Sequence, residues 1–300
     1  MAKMVPHPTK TTHPPGPSPK PSPPRNARPF LKWAGGKQQL LAQLEPYFPP
    51  AFDRYLEPFV GGGAVFFHLW NAGRLPVRVS LFDTNEEIVN TYTAVRDHLD
   101  ELVEQLAVHK ARHGEEYYYH IRAQDRRPTR LSDVQRAART IYLNRTCFNG
   151  LYRVNSKGQF NVPLGRYRNP AIVRRDVLQA ASEALRNVDI QVKGFHQMVD
   201  LARPSDFYYF DPPYDPVSKT AHFTGYTSSA FGEQDQRDLA DVFAQLAQQG
   251  CLCMLSNSHT PFILDLYRDY RIETVYAKRI VNSDVSGRGR VKEVVIMNYG

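Results

Sequence analysis

Residues 211–214 read Asp-Pro-Pro-Tyr and follow four apolar residues, Phe207 to Phe210. The apolar run fits a buried strand, and the carboxyl end of such a strand is where open α/β sheets place their active sites. The set suits activation of an amine conjugated to an aromatic ring. Such a nitrogen, as in adenine, is a poor nucleophile because its lone pair is delocalised. Two acceptors on its hydrogens favour a pyramidal nitrogen and aim the lone pair at an electrophilic carbon. The Asp211 carboxylate can supply one acceptor, and the Pro212 carbonyl, held by two fixed proline φ angles, can supply the other. Tyr214 offers a flat face on which an extruded base can stack. With a methyl group held in line, positioning and electrostatics supply most of the rate. The plain alternative is an ordinary Pro-Pro turn after a strand.

A second group lies earlier in the chain. Phe59-Val60-Gly61-Gly62-Gly63 follows a short strand at Tyr55-Leu56-Glu57. Glycines at Gly61 and Gly63 let the backbone turn sharply and approach a nucleoside. Asp83 stands 22 residues past Gly61 at the end of the next strand, where an acceptor for ribose hydroxyls belongs. A third stretch, Lys32-Trp33-Ala34-Gly35-Gly36-Lys37, ends in Gly-Lys but lacks the spacing of a phosphate loop. Gln38 also replaces the hydroxyl residue that such a loop needs, so ATP is discounted.

The elements that must position these groups alternate. Strands are expected at Tyr55–Glu57, Val77–Phe82, Ile190–Lys193, Asp206–Phe210, Cys251–Ser256, Arg271–Tyr276 and Val291–Asn298. Helices are expected at Gln38–Phe48, Ala64–Trp70, Asn85–His98, Gln234–Ala247 and Pro261–Tyr267, with more leading to Cys147. Alternation of this kind means a largely parallel sheet covered on both faces. Glycine, asparagine and proline punctuate Phe148–Tyr167, which reads as a hairpin and loop. The stretch from 84 to 188 interrupts the alternation and is expected to be an inserted domain between catalytic segments 29–83 and 189–300.

Charge divides the chain further. The net charge is +8, yet residues 1–28 carry five Lys or Arg and no acid, together with nine of the 23 prolines. That segment is expected to be a disordered tail, either a spacer or a weak polyanion contact. Residues 126–175 hold twelve Lys or Arg against the single acid Asp133, so the rest of the folded part is acidic. With Tyr, Phe, Asn and Gly between the arginines, the block reads as a nucleic-acid surface; a solvated helix face is the bland alternative. Ser283–Lys292 reads as a polar, basic loop between two strands. The three cysteines, Cys147, Cys251 and Cys253, suit neither a disulfide framework nor a zinc site; Cys251 and Cys253 should share one strand face. No run approaches the ~18 apolar residues of a membrane span. A cytoplasmic, nucleoid-associated monomer is the expectation, with no metal.

The motifs together resemble those of the Dam-type DNA adenine methyltransferases, including relatives from restriction–modification systems. The markers are Phe-Leu-Lys-Trp-Ala-Gly-Gly-Lys (30–37), Glu-Pro-Phe-Val-Gly-Gly-Gly (57–63), Phe-Asn-Gly-Leu-Tyr-Arg-Val-Asn (148–155), Phe-Asn-Val-Pro-Leu-Gly-Arg-Tyr (160–167), Asp-Pro-Pro-Tyr (211–214) and Leu-Ser-Asn-Ser (255–258). The likeness covers about Phe30 to Tyr299. It implies a class I S-adenosylmethionine-dependent, Rossmann-like sheet with an inserted helical and hairpin recognition domain. By the same resemblance Trp33, Lys37, Asp83 and Asp211 frame the S-adenosylmethionine pocket, beside Phe59, Gly61 and Gly63. Lys32, Asn149, Leu151, Arg153, Pro163, Arg166 and Tyr167 match positions that meet double-stranded DNA, with adenine in GATC the implied target. Arg153 can fork onto guanine O6 and N7, and Leu151 or Pro163 can meet a thymine methyl. Arg153 also suits a phosphate contact, and Leu151 and Pro163 the core of the insert. Leu164 departs from the usual aromatic, and Phe148 from the tyrosine of some members. Other readings are an N4-cytosine, RNA or protein-glutamine methyltransferase, and a non-catalytic DNA-binding relative.

Overall fold

The structure is a computed structural model that describes residues 26–33, 35–126, 130–216, 231–278 and 290–300. Seven strands form one mixed sheet: β1 (Arg54–Glu57), β2 (Arg78–Asp83), β3 (Asp189–Val192), β4 (Asp206–Phe210), β5 (Leu252–Ser258), β6 (Arg271–Lys278) and β7 (Arg290–Met297). Their order is β3-β2-β1-β4-β5-β7-β6. The first five are parallel, and β7 runs antiparallel to both β5 and β6. This is the largely parallel α/β sheet that the alternation of elements implied. The chain reverses its direction of travel across the sheet at β1 and β4, so a crevice opens outside their carboxyl ends.

Side-chain parity builds the two layers. On β4, Phe207 and Tyr209 enter one core and Tyr208 and Phe210 the other, so every residue of the strand is buried. That is why the run reads as continuous apolar sequence rather than as alternation. The second core is closed by helices Glu233–Gln248 and Pro261–Leu266 and holds Cys251 and Cys253 on one face, as their spacing implied. The first core is continuous from the sheet into the 84–188 stretch. It joins Tyr55, Leu81 and Tyr209 to Ile88, Tyr92, Leu102, Tyr142 and Val177. Asp206, buried at the start of β4, accepts from Arg54 Nε at 2.7 Å and from the Arg203 amide at 2.8 Å.

Several expectations change in detail. The helix expected over 38–48 is broken into 3-10 turns at Lys37–Gln39 and Glu45–Tyr47 around one α-turn, Leu41–Leu44. Pro46 removes a donor that a continuous helix needs. The 148–167 hairpin has no regular strands. It is a 3-10 turn at Phe148–Gly150 followed by loops tied by two isolated antiparallel bridges, Cys147 with Leu164 and Val154 with Phe160. Left-handed Asn149 (φ 55°) and Gly150 (φ 65°) stop strand pairing at its start. Residues 1–25 of the expected tail lie outside the described residues. Ala27 is not tail-like: it is buried and exchanges hydrogen bonds with the Asn71 side chain at 3.0 and 2.8 Å. Of the loop expected at 283–292, residues 283–289 lie outside the described residues and Arg290 to Lys292 begin β7. No helix among the described residues is long and apolar enough to cross a membrane.

Candidate active site

Asp211 leaves the carboxyl end of β4, continuing the parity of Phe207 and Tyr209. Its Oδ1 lies 2.6 Å from Lys37 Nζ, which also donates to the Gly35 carbonyl at 2.6 Å. Lys37 is buried, and its ammonium stands 4.6 Å from the centroid of the Tyr214 ring. Burial pushes the Asp211 carboxyl above the usual aspartate value, the Lys37 ammonium pulls it down, and the Glu293 carboxylate adds to the rise. Glu293, on β7, accepts from the Tyr214 hydroxyl at 2.8 Å.

The tetrad is held from behind by a buried amide relay. Gln236 Nε2 donates to the Pro213 carbonyl at 2.9 Å, and Gln236 Oε1 accepts from Asn257 Nδ2 at 3.0 Å. Asn257 Oδ1 accepts from the Asp215 amide at 3.1 Å and from the Ser258 amide at 2.8 Å. Ser258 Oγ then donates to the Asp215 carbonyl and Thr260 Oγ1 to the Asp215 carboxylate, both at 2.6 Å. Pro212 is buried within this frame. A loop this fully tied keeps its carbonyl directions without reorganisation, which is what an acceptor pair for an amine needs.

Below the tetrad lies Glu57, buried at the end of β1. It accepts from the Tyr55 hydroxyl at 2.8 Å, and burial pushes its carboxyl up to about 8. Neither Glu57 nor Glu293 stands out in the sequence as a site residue; the first falls in the Glu-Pro-Phe motif as a strand end, the second in an unremarked β7.

The Gly loop and Asp83 come together as the spacing implied. Asp83 accepts from the Gly61 amide at 3.1 Å and from the Asn85 amide at 2.9 Å, and burial pushes its carboxyl up to about 6. Gly61 has φ 44°, and a Cβ there would lie 2.7 Å from Trp33 Cδ1. Trp33 therefore packs directly on the loop, and its ring also meets Tyr152 of the 148–167 segment at 5.2 Å between centroids. Gly63 is closed by Tyr92, whose hydroxyl would meet a Cβ at 2.6 Å. Phe59 stands apart, stacked on Phe195 at 5.7 Å with Phe231 edge-on at 5.9 Å. Phe195 lies three residues past Val192, the register partner of Asp83, so this aromatic wall borders the acid. A half-buried carboxylate beside an aromatic wall and a turn closed to side chains has the donor and shape requirements of a nucleoside site.

Most of the expected DNA readers lie on the 148–167 segment. Asn149, Arg153, Pro163, Arg166 and Tyr167 are exposed, and Phe148 with them. Lys32 crosses from the other end of the chain: a Cβ on Gly150 would lie 2.3 Å from Lys32 Cδ, and its Nζ donates to the Tyr167 hydroxyl at 3.3 Å. Asn144, buried, donates to the carbonyls of Lys32 and Gly150 at 2.8 and 3.1 Å and accepts from the Lys32 amide at 2.8 Å. Arg153 is farther along, its Nε donating to Asn161 Oδ1 at 2.8 Å. Leu151 is half-buried against the first core, so its packing role is present in this structure.

The basic block presents less charge than its sequence suggests. Arg126 and Arg139 pair with Asp125, Arg136 with Glu87 and Arg175 with Asp100, and Arg145 donates to the Phe30 carbonyl. Arg153, Lys157, Arg166 and Arg168 are exposed on the loops of the segment. Among the described residues no group of His, Cys, Asp and Glu could hold a metal ion.

The sequence matches the family model of the D12 class N6 adenine-specific DNA methyltransferases over residues 33–281. The type II methyltransferase M1.LlaDCHI of Lactococcus lactis subsp. cremoris is 44% identical over 279 residues, covering 92% of this chain and 96% of that protein. The type II methyltransferase M.MjaIII of Methanocaldococcus jannaschii is 40% identical over 287 residues, covering 91% and 99%. A DNA adenine methylase of Serratia marcescens is 32% identical over 274 residues, covering 90% and 98%. The chain thus belongs to the D12 class of N6 adenine-specific DNA methyltransferases.

Proposed function

We propose that the protein transfers a methyl group from S-adenosylmethionine to N6 of an adenine flipped out of duplex DNA, in the site GATC. The observation that carries the chemistry is the Asp211 carboxylate at the sheet's switch point, in one pocket with the Tyr214 ring and Lys37. The Asp211 carboxylate accepts one amine hydrogen and the Pro212 carbonyl the other, which localises the lone pair. Tyr214 stacks the base, and Lys37 holds Asp211 ionised against the cost of burial. The amide relay through Gln236 and Asn257 keeps both acceptors aimed. When bound, the cofactor supplies a sulfonium-activated methyl group.

Asp83 is the acceptor for the ribose hydroxyls, since each carboxylate oxygen that receives one amide retains a second lone pair. Phe59, with Phe195 and Phe231, forms the wall for the nucleoside base, and Gly61 and Gly63 let the backbone approach it. Trp33 and Lys37 close the pocket. The insert at 84–188 reads the DNA. Exposed Asn149, Arg153, Arg166, Tyr167 and Pro163, with Lys32 laid across Gly150, form its recognition face, and Leu151 contributes from its edge. The similarity to proteins named DNA adenine methylases supports GATC as the site.

The test is transfer of labelled methyl groups to two duplexes that differ in a single GATC. Label confined to adenine in the GATC duplex is the expected result. Equal label on both duplexes overturns the site. Label on neither duplex, with S-adenosylmethionine bound, overturns the substrate.

A further inference from the structure

The Tyr214 ring is attached to a backbone that the amide relay fixes, yet its own torsions are not fixed by that relay. Its hydroxyl is. Glu293 Oε2 accepts from it at 2.8 Å across 79 positions of sequence. Glu293 is itself held in register, opposite Ser258 of β5 on one side and Val275 of β6 on the other. Along β7 it shares the parity of Val295 and Met297, which belong to the core that contains Tyr209. The acceptor is therefore mounted on the middle strand of three, and it grips the far end of the ring. Lys37 Nζ stands over that ring at 4.6 Å, so one ring carries a hydroxyl anchor at its edge and a cation at its face.

A carboxylate at this place has a cost. It faces Asp211 and raises the proton affinity of that group. A neutral acceptor would have reached the phenol without that repulsion. What a carboxylate adds is a shorter and stronger hydrogen bond than a neutral oxygen makes.

We propose that Glu293 is a positioning residue for methyl transfer: through the Tyr214 hydroxyl it sets the plane on which the target adenine stacks, and so the angle of the amine to Asp211. This rests on the reading of Asp211 and Tyr214 given above. A flexible ring would still let DNA bind, because the recognition face lies on the insert. It would lower the fraction of bound bases that present the amine in line.

The experiment is a double-mutant cycle in the full chain, with Glu293→Ala, Glu293→Gln, Tyr214→Phe, the pair Glu293→Ala with Tyr214→Phe, and Tyr214→Ala. Single-turnover methyl transfer and KM for duplex DNA are measured for each. Glu293→Ala is expected to slow transfer about tenfold, the loss of one charge-assisted hydrogen bond, with KM for DNA within about twofold. Glu293→Gln should recover most of the rate, since its amide oxygen still accepts. Tyr214→Phe should copy Glu293→Ala, and the double variant should be no slower than either single one. An unchanged rate in Glu293→Ala, or a Glu293→Ala loss that persists in full on the Tyr214→Phe background, overturns the inference. An unchanged rate in Tyr214→Ala instead overturns the stacking reading on which it stands.

Discussion

The Lys37 ammonium and the Asp211 carboxylate meet at 2.6 Å in a pocket where Lys37 is buried. Each group makes the other tolerable. Burial alone would favour a protonated Asp211, which would donate where the amine needs an acceptor.

The pairing predicts the pH dependence of methyl transfer. Burial is the largest influence on Asp211 and raises its proton affinity, Lys37 lowers it, and Glu293 raises it. The active form is the carboxylate, so the rate should fall as pH falls, with a midpoint above the ordinary aspartate value of 3.8. Removing the cation in Lys37→Met should move that midpoint to higher pH. A single-turnover pH profile of both proteins checks it. Coincident acid limbs would mean that Lys37 does not hold Asp211 ionised.

Gly61 tests the cofactor loop. Its φ of 44° is strained for any other residue, and a Cβ would strike the Trp33 ring at 2.7 and 2.8 Å. Trp33 also packs against Tyr152, which limits how far it can shift. Gly61→Ala should weaken S-adenosylmethionine binding at least tenfold and cost about 1–3 kcal/mol of stability. Gly158→Ala is the control. Gly158 has φ 72° with nothing within 4 Å of the added atom, so it should lose stability from strain alone and keep its cofactor affinity. Calorimetric titration of both variants separates the two effects.

The sequence made the chemistry legible where function and local pattern coincide. Asp211 was readable because β4 is buried on both faces and so appears as an uninterrupted apolar run ending in an acid. Asp83 was readable because it ends β2 22 residues past Gly61, the spacing at which a ribose acceptor follows a Gly-rich turn. Glu293 and Asn257 were not readable as partners of the tetrad. Glu293 reaches Tyr214 through the antiparallel return of β7 beside β5, and Asn257 reaches Asp215 and Gln236 from β5 beside β4; nothing local to either residue encodes these contacts. The charge block misled in part for the same reason: Arg126, Arg136, Arg139 and Arg175 found acids that the linear count could not pair with them. The hairpin at 148–167 was right in its turn chemistry and wrong in its regularity, because Asn149 and Gly150 bend left-handed to pass Lys32.

Glu57 gives a stability test with a definite sign. Its folded-state proton affinity is raised from 4.5 to about 8, chiefly by burial, with Asp211 adding and the Tyr55 hydroxyl opposing. Between those values the folded chain holds a proton that the unfolded chain has released, so the wild type loses stability as pH rises through that window. Glu57→Gln keeps the shape and has no proton to lose. The variant should therefore gain stability relative to wild type as pH rises from about 5 to about 8. Chemical denaturation across that range checks it, and a constant difference would mean that Glu57 is ionised in the folded protein.

Asn144 tests whether the proposed recognition face and the Trp33 side of the proposed cofactor pocket are one unit. Its side chain makes three hydrogen bonds within a buried site, two to Lys32 and one to Gly150. Lys32 precedes Trp33, which packs on the Gly61 loop, and Gly150 lies between Asn149 and Leu151 in the proposed reading loop. Asn144→Ala would leave three backbone groups without this partner and should cost about 2–4 kcal/mol. Asn144→Asp keeps the acceptor for the Lys32 amide and loses both donors, so it should release the two loops from each other at a smaller volume change. Its expected signature is a loss of discrimination between GATC and a one-base variant of at least tenfold, larger than its loss of S-adenosylmethionine affinity, because the cofactor loop is still held by Asp83 and Tyr92. Discrimination equal to wild type in a folded Asn144→Asp protein would show that the two loops keep their geometry without the staple.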